Sequence, residues 1–326
     1  LDGRLRGLGR HEQVAGLLLR AAALPFDRAR RRELRRDAAC VHQDQLGDDD
    51  GALEILRGVF AEDPGDAIAT ASVARLAKLL EGRALHGEVA ELWEAQARAR
   101  QAAGDRVVAA ELWARAAEIW EKCAGDVERA IASHRAGAGL GGEASLEALA
   151  RIHQVRGEPR AVAEALEWLC AQSAAEALAE RVLRLADAYV AGGERRLARA
   201  RLEQAAAVVA DASALRRRLA ELYREDGDLT ELATLLAGEA ARTPEPRARL
   251  ALLLEAARLH LDQRGQPGDA VPLLQQAVEL DPEDPDLRLS LARALELGGR
   301  FEEASQILRQ QIELFGARRP KNRALV

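Results

Sequence analysis

An alanine recurs along this chain at Ala39, Ala74, Ala117, Ala150, Ala186, Ala220, Ala257 and Ala292, at intervals of 35, 43, 33, 36, 34, 37 and 35 residues. Two places after each stands an apolar residue: Val41, Leu76, Ile119, Ile152, Ala188, Leu222, Leu259 and Ala294. A near-constant period of this size is the mark of a stack of similar supersecondary units. The pattern is clearest in 251–316, where Ala257, His260, Gly265, Ala270, Leu274, Ala277 and Pro282 form a ladder that Ala292, Leu295, Gly299, Ala304 and Leu308 largely repeat. Each copy reads as two short antiparallel helices. Small residues at Ala257 and Ala270 let the helices approach, and Leu253, Leu259, Leu273 and Leu274 fill the space beside them. Gly265 can take the left-handed conformation that ends the first helix, and Pro282 cannot continue the second. One such hairpin cannot bury its own apolar face, so it must stack on a neighbour.

This ladder resembles the tetratricopeptide repeat, a helical hairpin of about 34 residues. Its signature has a small residue at position 8, an aromatic at 11, Gly near 15, Ala at 20 and Pro at 32. With the recurring alanine as position 8, position 11 is His42, Ala77, Trp120, His153, Tyr189, Tyr223, His260 and Leu295, and Trp113 stands at position 4 of the third copy. Gln311 and Gly316 depart from the pattern. The resemblance implies an all-α fold: a right-handed superhelical solenoid of antiparallel hairpins. It implies eight repeats over 26–316, preceded by the end of an incomplete repeat in 1–25 and followed by a basic tail, 317–326. In the first of these stretches Leu5, Leu8 and Gly9 would end a first helix. The second repeat, with Gly82 to Gly87 in its turn and a long second helix running to about Ala102, is the most irregular.

The family implies a protein-binding scaffold with a peptide in a concave groove, lined by positions 2, 5, 9, 12 and 13 of each first helix. Position 9 is Cys40, Arg75, Glu118, Arg151, Asp187, Glu221, Arg258 and Arg293. The groove would be acidic in the middle, where Glu121 adds to Glu118, Asp187 and Glu221, and richer in arginine toward the C-terminal end. An acidic segment suits Arg258 and Arg293, because a guanidinium is a planar fork that fits a carboxylate. The competing expectation is that these arginines pair with Asp262 and Glu296 on their own helices. No Asn falls in any repeat, so the Lys/Asn clamp of chaperone-binding members is missing.

Composition narrows the rest. A net charge of −6 and a pI near 5.7 argue against general nucleic-acid binding, which needs a basic surface. No apolar run approaches the roughly twenty residues a membrane span requires. Of 47 basic residues only Lys78, Lys122 and Lys321 are Lys, which reads as a GC-rich bacterial genome. Met is absent, which suggests a piece of a longer protein and hides any targeting signal; a cytoplasmic location is the expectation. A regulatory or sensor domain of a larger protein is the alternative function. Cys40, Cys123 and Cys170 have no metal-ligand spacing and read as ordinary reduced thiols.

No catalytic set can be assembled, so the chain reads as a non-enzyme with no cofactor and no metal. His42, His153 and His260 share position 11 and so are packing residues. The six arginines between Arg28 and Arg36 read as the solvated start of a helix. Gly137, Gly139 and Gly142 match the dinucleotide-binding GxGxxG, but they follow a helix and no strand precedes them. Finally, Leu308, Ile312 and Leu314 of the last hairpin would lack a covering helix, which predicts self-association or docking there.

Overall fold

The computed structural model describes residues 9–263 and 265–318, and these fall in two compact units, Leu1–Gln172 and Ser173–Val326. In the first unit the helices are α1 (His11–Ala22), α2 (Arg28–Val41), α3 (Asp49–Glu62), α4 (Ala67–Glu81), α5 (His86–Ala102), α6 (Arg106–Ile119), α7 (Val127–Gly139), α8 (Glu143–Val155) and α9 (Pro159–Gln172). In the second they are α10 (Ala175–Ala191), α11 (Arg195–Val208), α12 (Ser213–Asp226), α13 (Leu229–Arg242), α14 (Pro246–Arg258), α15 (Pro267–Leu280), α16 (Pro285–Leu297) and α17 (Phe301–Arg318). Consecutive helices of each unit pack on one another, and no strand occurs among the described residues. Each unit is an all-α stack of helical hairpins. Leu5 and Leu8 lie outside the described residues, as does the tail from residue 319.

The alanine ladder does the packing expected of it in most hairpins. Ala39, Ala117, Ala150, Ala186, Ala257 and Ala292 are at most 2% exposed, each at the inner edge of a first helix. Ala220 is half-buried. Ala74 is the exception: it is exposed, and Val73 beside it is buried. The inner face of α4 runs through Ala69, Ser72, Val73 and Leu76, in step with Trp113, Ala116 and Ala117 of α6 and Trp120 just beyond it. The second repeat is therefore registered one residue earlier than its alanine suggests. Its turn differs too, because Ala84 takes φ 56° and α5 extends over 17 residues.

The first helices end in two ways, and one residue of spacing decides between them. From Ala150, Ala186, Ala220 and Ala292 the next left-handed glycine is seven residues on, at Gly157, Gly193, Gly227 and Gly299. From Ala39, Ala117 and Ala257 it is eight residues on, at Gly47, Gly125 and Gly265. In these three the helix closes through a π turn, His42–Leu46, Trp120–Ala124 or Leu259–Gln263. A π turn adds one residue to the loop closed by each hydrogen bond, so it absorbs the extra residue without moving the glycine that starts the turn. A carboxylate often follows that glycine and caps what comes next: Asp48 accepts from Gly51 N at 2.9 Å and Asp126 from Arg129 N at 3.0 Å.

Position 11 residues sit over this corner. Trp120, His153, Tyr223 and His260 are buried, and His42 Nδ1 bonds Asp48 at 2.7 Å while His153 Nδ1 bonds Glu158 at 2.6 Å. The partner is six residues away across the π turn and five without it. In Gly137–Gly142 the glycines serve close approach and turning. A Cβ on Gly137 would lie 2.5 Å from Ser145 Oγ, and Gly141 takes φ 92° between α7 and α8. The arginine run departs from the expected solvated surface. Arg28 and Arg30 are exposed, but Arg32 is 7% exposed and faces Asp63 and Asp66 at 3.3 and 3.5 Å, because the α3–α4 turn supplies carboxylates there.

Candidate peptide-binding face

The position 9 residues lie on the outer side of the first helices, next to the buried ladder, and most are already engaged. In the first unit Arg75 reaches the preceding repeat, with Nη1 2.5 Å from Gln43 Oε1 and 2.7 Å from Asp44 Oδ1. Arg151 does the same to Glu121 at 2.6 Å. The bond holds the Glu121 carboxyl below the usual carboxylate range and raises the Arg151 guanidinium further. Glu118 pairs with Lys122 on its own helix, and Cys40 is a half-buried free thiol.

In the second unit one pair again reaches back and another runs forward. Arg218 of α12 meets Asp187 of α10 through Nε at 3.0 Å and also binds Glu221 at 3.0 Å. Arg224, at position 12, reaches forward to Glu255 of α14 at 2.7 Å. The acidic middle that sequence anticipated is thus largely engaged: Lys122 is on Glu118, Arg151 on Glu121, and Arg218 is shared by Asp187 and Glu221.

Arg258 and Arg293 differ. Both are exposed, and neither makes an ion pair with a described residue. Glu296, the expected partner of Arg293, makes none either, and the side chain of Asp262 lies outside the described ones. The reason at Arg258 is visible in the preceding repeat, where position 12 is Arg224 in place of a carboxylate. Beside the two arginines, Leu289 and Leu297 at positions 5 and 13 of the last repeat are 48% and 59% exposed. These leucines were not singled out in sequence, although reading those positions for apolar residues finds them. Arg218, Arg224 and Glu255 were missed because position 9 alone does not show which neighbour reaches it.

Other candidate chemistry is not brought together. Among the described residues no group of three or more His, Cys, Asp or Glu could hold a metal ion, and no helix is long and apolar enough to cross a membrane. Burial pushes the His134 imidazole down to about 4, and among the described residues Ser145 Oγ lies 3.5 Å from its Nδ1.

A family model described as tetratricopeptide repeat matches residues 261–316, the stretch where the ladder is most regular. That stretch is thereby assigned to the tetratricopeptide repeat (TPR) family. No curated protein matches it. Among solved structures, kinesin light chain TPR-like repeats of Podosopora anserina are 29% identical over 52% of this chain and 92% of theirs, with a TM-score of 0.30. A tetratricopeptide repeat protein of Parabacteroides merdae is 12% identical over 81% of this chain and 98% of its own, also at 0.30. The assignment rests on the matched repeats and the recurring TPR ladder, not on these superpositions. TPR proteins are in general scaffolds for protein–protein interaction.

Proposed function

We propose that this chain binds a segment of a partner protein on the first-helix face of its last two repeats, and that the segment is acidic with apolar side chains. Arg258 and Arg293 supply charge-assisted bonds to carboxylates, and Leu289 and Leu297 supply apolar contact. The observation that carries this reading is the contrast within one position: Arg151 is tied to the repeat before it, as is Arg75 one place further along the re-registered second repeat, whereas Arg258 and Arg293 have no described partner. An exposed guanidinium with no carboxylate on it among the described residues can meet a ligand without first breaking a described bond. Self-association through the C-terminal hairpin is the companion proposal, supported by Ile312 being 71% exposed on α17 where Val278 at the same place in α15 is half-buried.

The test is fluorescence anisotropy with a labelled peptide of alternating Glu and Leu, against its Gln–Leu counterpart. Arg258→Glu with Arg293→Glu should weaken binding of the acidic peptide by about tenfold or more and flatten its salt dependence, with helicity unchanged. Equal binding of both peptides, or no effect of the double reversal, removes this face from consideration. Sedimentation of the chain over a range of concentrations, with Ile312→Glu as the comparison, tests self-association.

A further inference from the structure

Trp168 is out of step with the repeat. Eleven residues on from each left-handed glycine that precedes a second helix stand Arg20, Gly58, Ala136, Trp168, Gln204, Gly238, Gln276 and Gln310. Only one of these is large and apolar, so hairpin packing does not call for an indole there. Its burial agrees: Trp93, Trp113 and Trp120 are 5–7% exposed, and Trp168 is 51% exposed.

The indole stands at a cleft of about 180 Å³ formed by the second helices α7 and α9 over α8. Leu146 and Leu149 of α8 line it together with Ala165 and Trp168 of α9. Arg135 contributes from α7 and Glu164 from α9. Both are exposed, and neither makes an ion pair or hydrogen bond with a described residue. Elsewhere in this unit such second-helix charges are paired across repeats, as Arg129 is to Glu91 at 2.8 Å and Arg156 to Glu128 at 2.7 Å. An apolar cavity of roughly 150 Å³ holds a benzene-sized ring. The cleft therefore has room for one aromatic group against an aromatic wall, a pairing that ring quadrupoles favour in offset or edge-to-face geometry.

We propose that this cleft receives an aromatic side chain of a partner polypeptide, flanked in that partner by one basic and one acidic residue that pair with Glu164 and Arg135. A bare aromatic compound would fill the apolar floor and leave both charges unmet. A flanked ring satisfies all three features at once. This site lies on the second helices and is independent of the arginine face proposed above.

Three of the four tryptophans are buried, so the solvent-quenched part of the fluorescence reports on Trp168. The full chain is titrated with N-acetyl-Arg-Phe-Glu-amide, with the Arg-Ala-Glu peptide and N-acetylphenylalaninamide as comparisons, and acrylamide quenching is read. The expected result is a blue shift and reduced quenching at millimolar Arg-Phe-Glu, at least threefold weaker for either comparison compound. Trp168→Ala should abolish the response while the circular dichroism spectrum is kept. Glu164→Arg should weaken the Arg-Phe-Glu peptide by about threefold to tenfold and reverse the preference toward Glu-Phe-Glu. The proposal is overturned by no change up to tens of millimolar, by an equal response to the alanine peptide or the uncharged amide, by a response that persists in Trp168→Ala, or by an unchanged charge preference in Glu164→Arg.

Discussion

Arg151 and Arg293 stand at the same place in the repeat, yet one is held by Glu121 of the hairpin before it and the other by no described residue. The difference does not come from the arginines. It comes from what the preceding repeat offers three or four residues before its turning glycine. Asp44 and Glu121 stand there in the first unit and accept from Arg75 and Arg151. In the second unit Arg224 stands there and turns forward to Glu255, which leaves Arg258 without a partner among the described residues. A TPR face is therefore readable as binding surface only after its repeat-to-repeat pairs have been subtracted. Exposed ion pairs of this kind are each worth little to stability, roughly 0–1 kcal/mol, but each one occupies a donor that a ligand would need.

The largest expected effect concerns the closed side, because it carries a buried group that acid can reach. The folded pKa of His134 is lowered from 6.5 to about 4 by burial, so between those values the unfolded chain binds the proton and the folded chain does not. Stability from this group is complete above pH 6.5 and is lost as pH falls to about 4, at a cost on the order of 2–3 kcal/mol. Hydrogen exchange should show α7 and α8 losing protection through that window before α14 to α16 do, and His134→Gln should flatten the pH dependence. Simultaneous loss in both regions would break the comparison at its root.

Next in size is a change that should treat the two sides alike. Ala117 and Ala257 are at most 1% exposed behind the closed and open faces respectively. Replacing either by Leu overpacks the hairpin and should destabilise by roughly 1–3 kcal/mol, read by chemical denaturation. Comparable losses at both positions would show that the faces differ in side-chain pairing and not in the hairpins beneath them.

A smaller effect is expected from closing the open side. Arg224→Glu places a carboxylate where Asp44 and Glu121 stand in the first unit and gives Arg258 an internal partner. Binding of the Glu–Leu peptide should fall by about threefold to fivefold, within the roughly 1 kcal/mol that an exposed pair can supply. Unchanged affinity would mean that Arg258 is not part of the site.

The fold was legible because it depends on positions that every hairpin must fill. Ala186, Gly193 and Leu202 declare a first helix, a turn and a second helix by their spacing alone, and all three occupy those places. The π turns were legible in principle, since the eighth-residue glycines at Gly47, Gly125 and Gly265 mark them, but spacing alone does not say whether the helix or the loop takes the extra residue. Register failed at Ala74, where Val73 is an equally good inner residue and only the packing of α4 decides between them. The pairing along the candidate face was not legible. Position 9 picks out side chains beside the buried ladder of each hairpin, but Arg218 and Asp187 are 31 residues apart, and no local pattern announces a pair set by how two hairpins stack. Trp168 escaped notice for the opposite reason: it breaks the pattern, and an odd residue acquires meaning only when its exposure is known.

The smallest effect, and the most direct reading of the comparison, comes from opening the closed side. Glu121 accepts a bond from Arg151 at 2.6 Å, and that bond is the main reason its carboxyl titrates below its ordinary range. Arg151→Ala removes the bond, so the Glu121 pKa should rise back toward 4.5, the ordinary value. The contribution of the pair to folding is present above the unfolded pKa and lost as pH falls through the lowered folded one; removing Arg151 should therefore matter near pH 7 and cease to matter once Glu121 is protonated in the folded chain. Its size near neutrality should be under about 1 kcal/mol, because the arginine is half exposed and the pair is screened by water and salt. A carboxyl titration of Glu121 followed by NMR decides the matter independently of stability. His134 gives a second readout on the same chain, because Arg151 helps hold its imidazole pKa down and the removal should let it rise. If neither Glu121 nor His134 moves, the closed face owes its charge balance to something other than the repeat-to-repeat pair, and the contrast with Arg258 loses its physical basis.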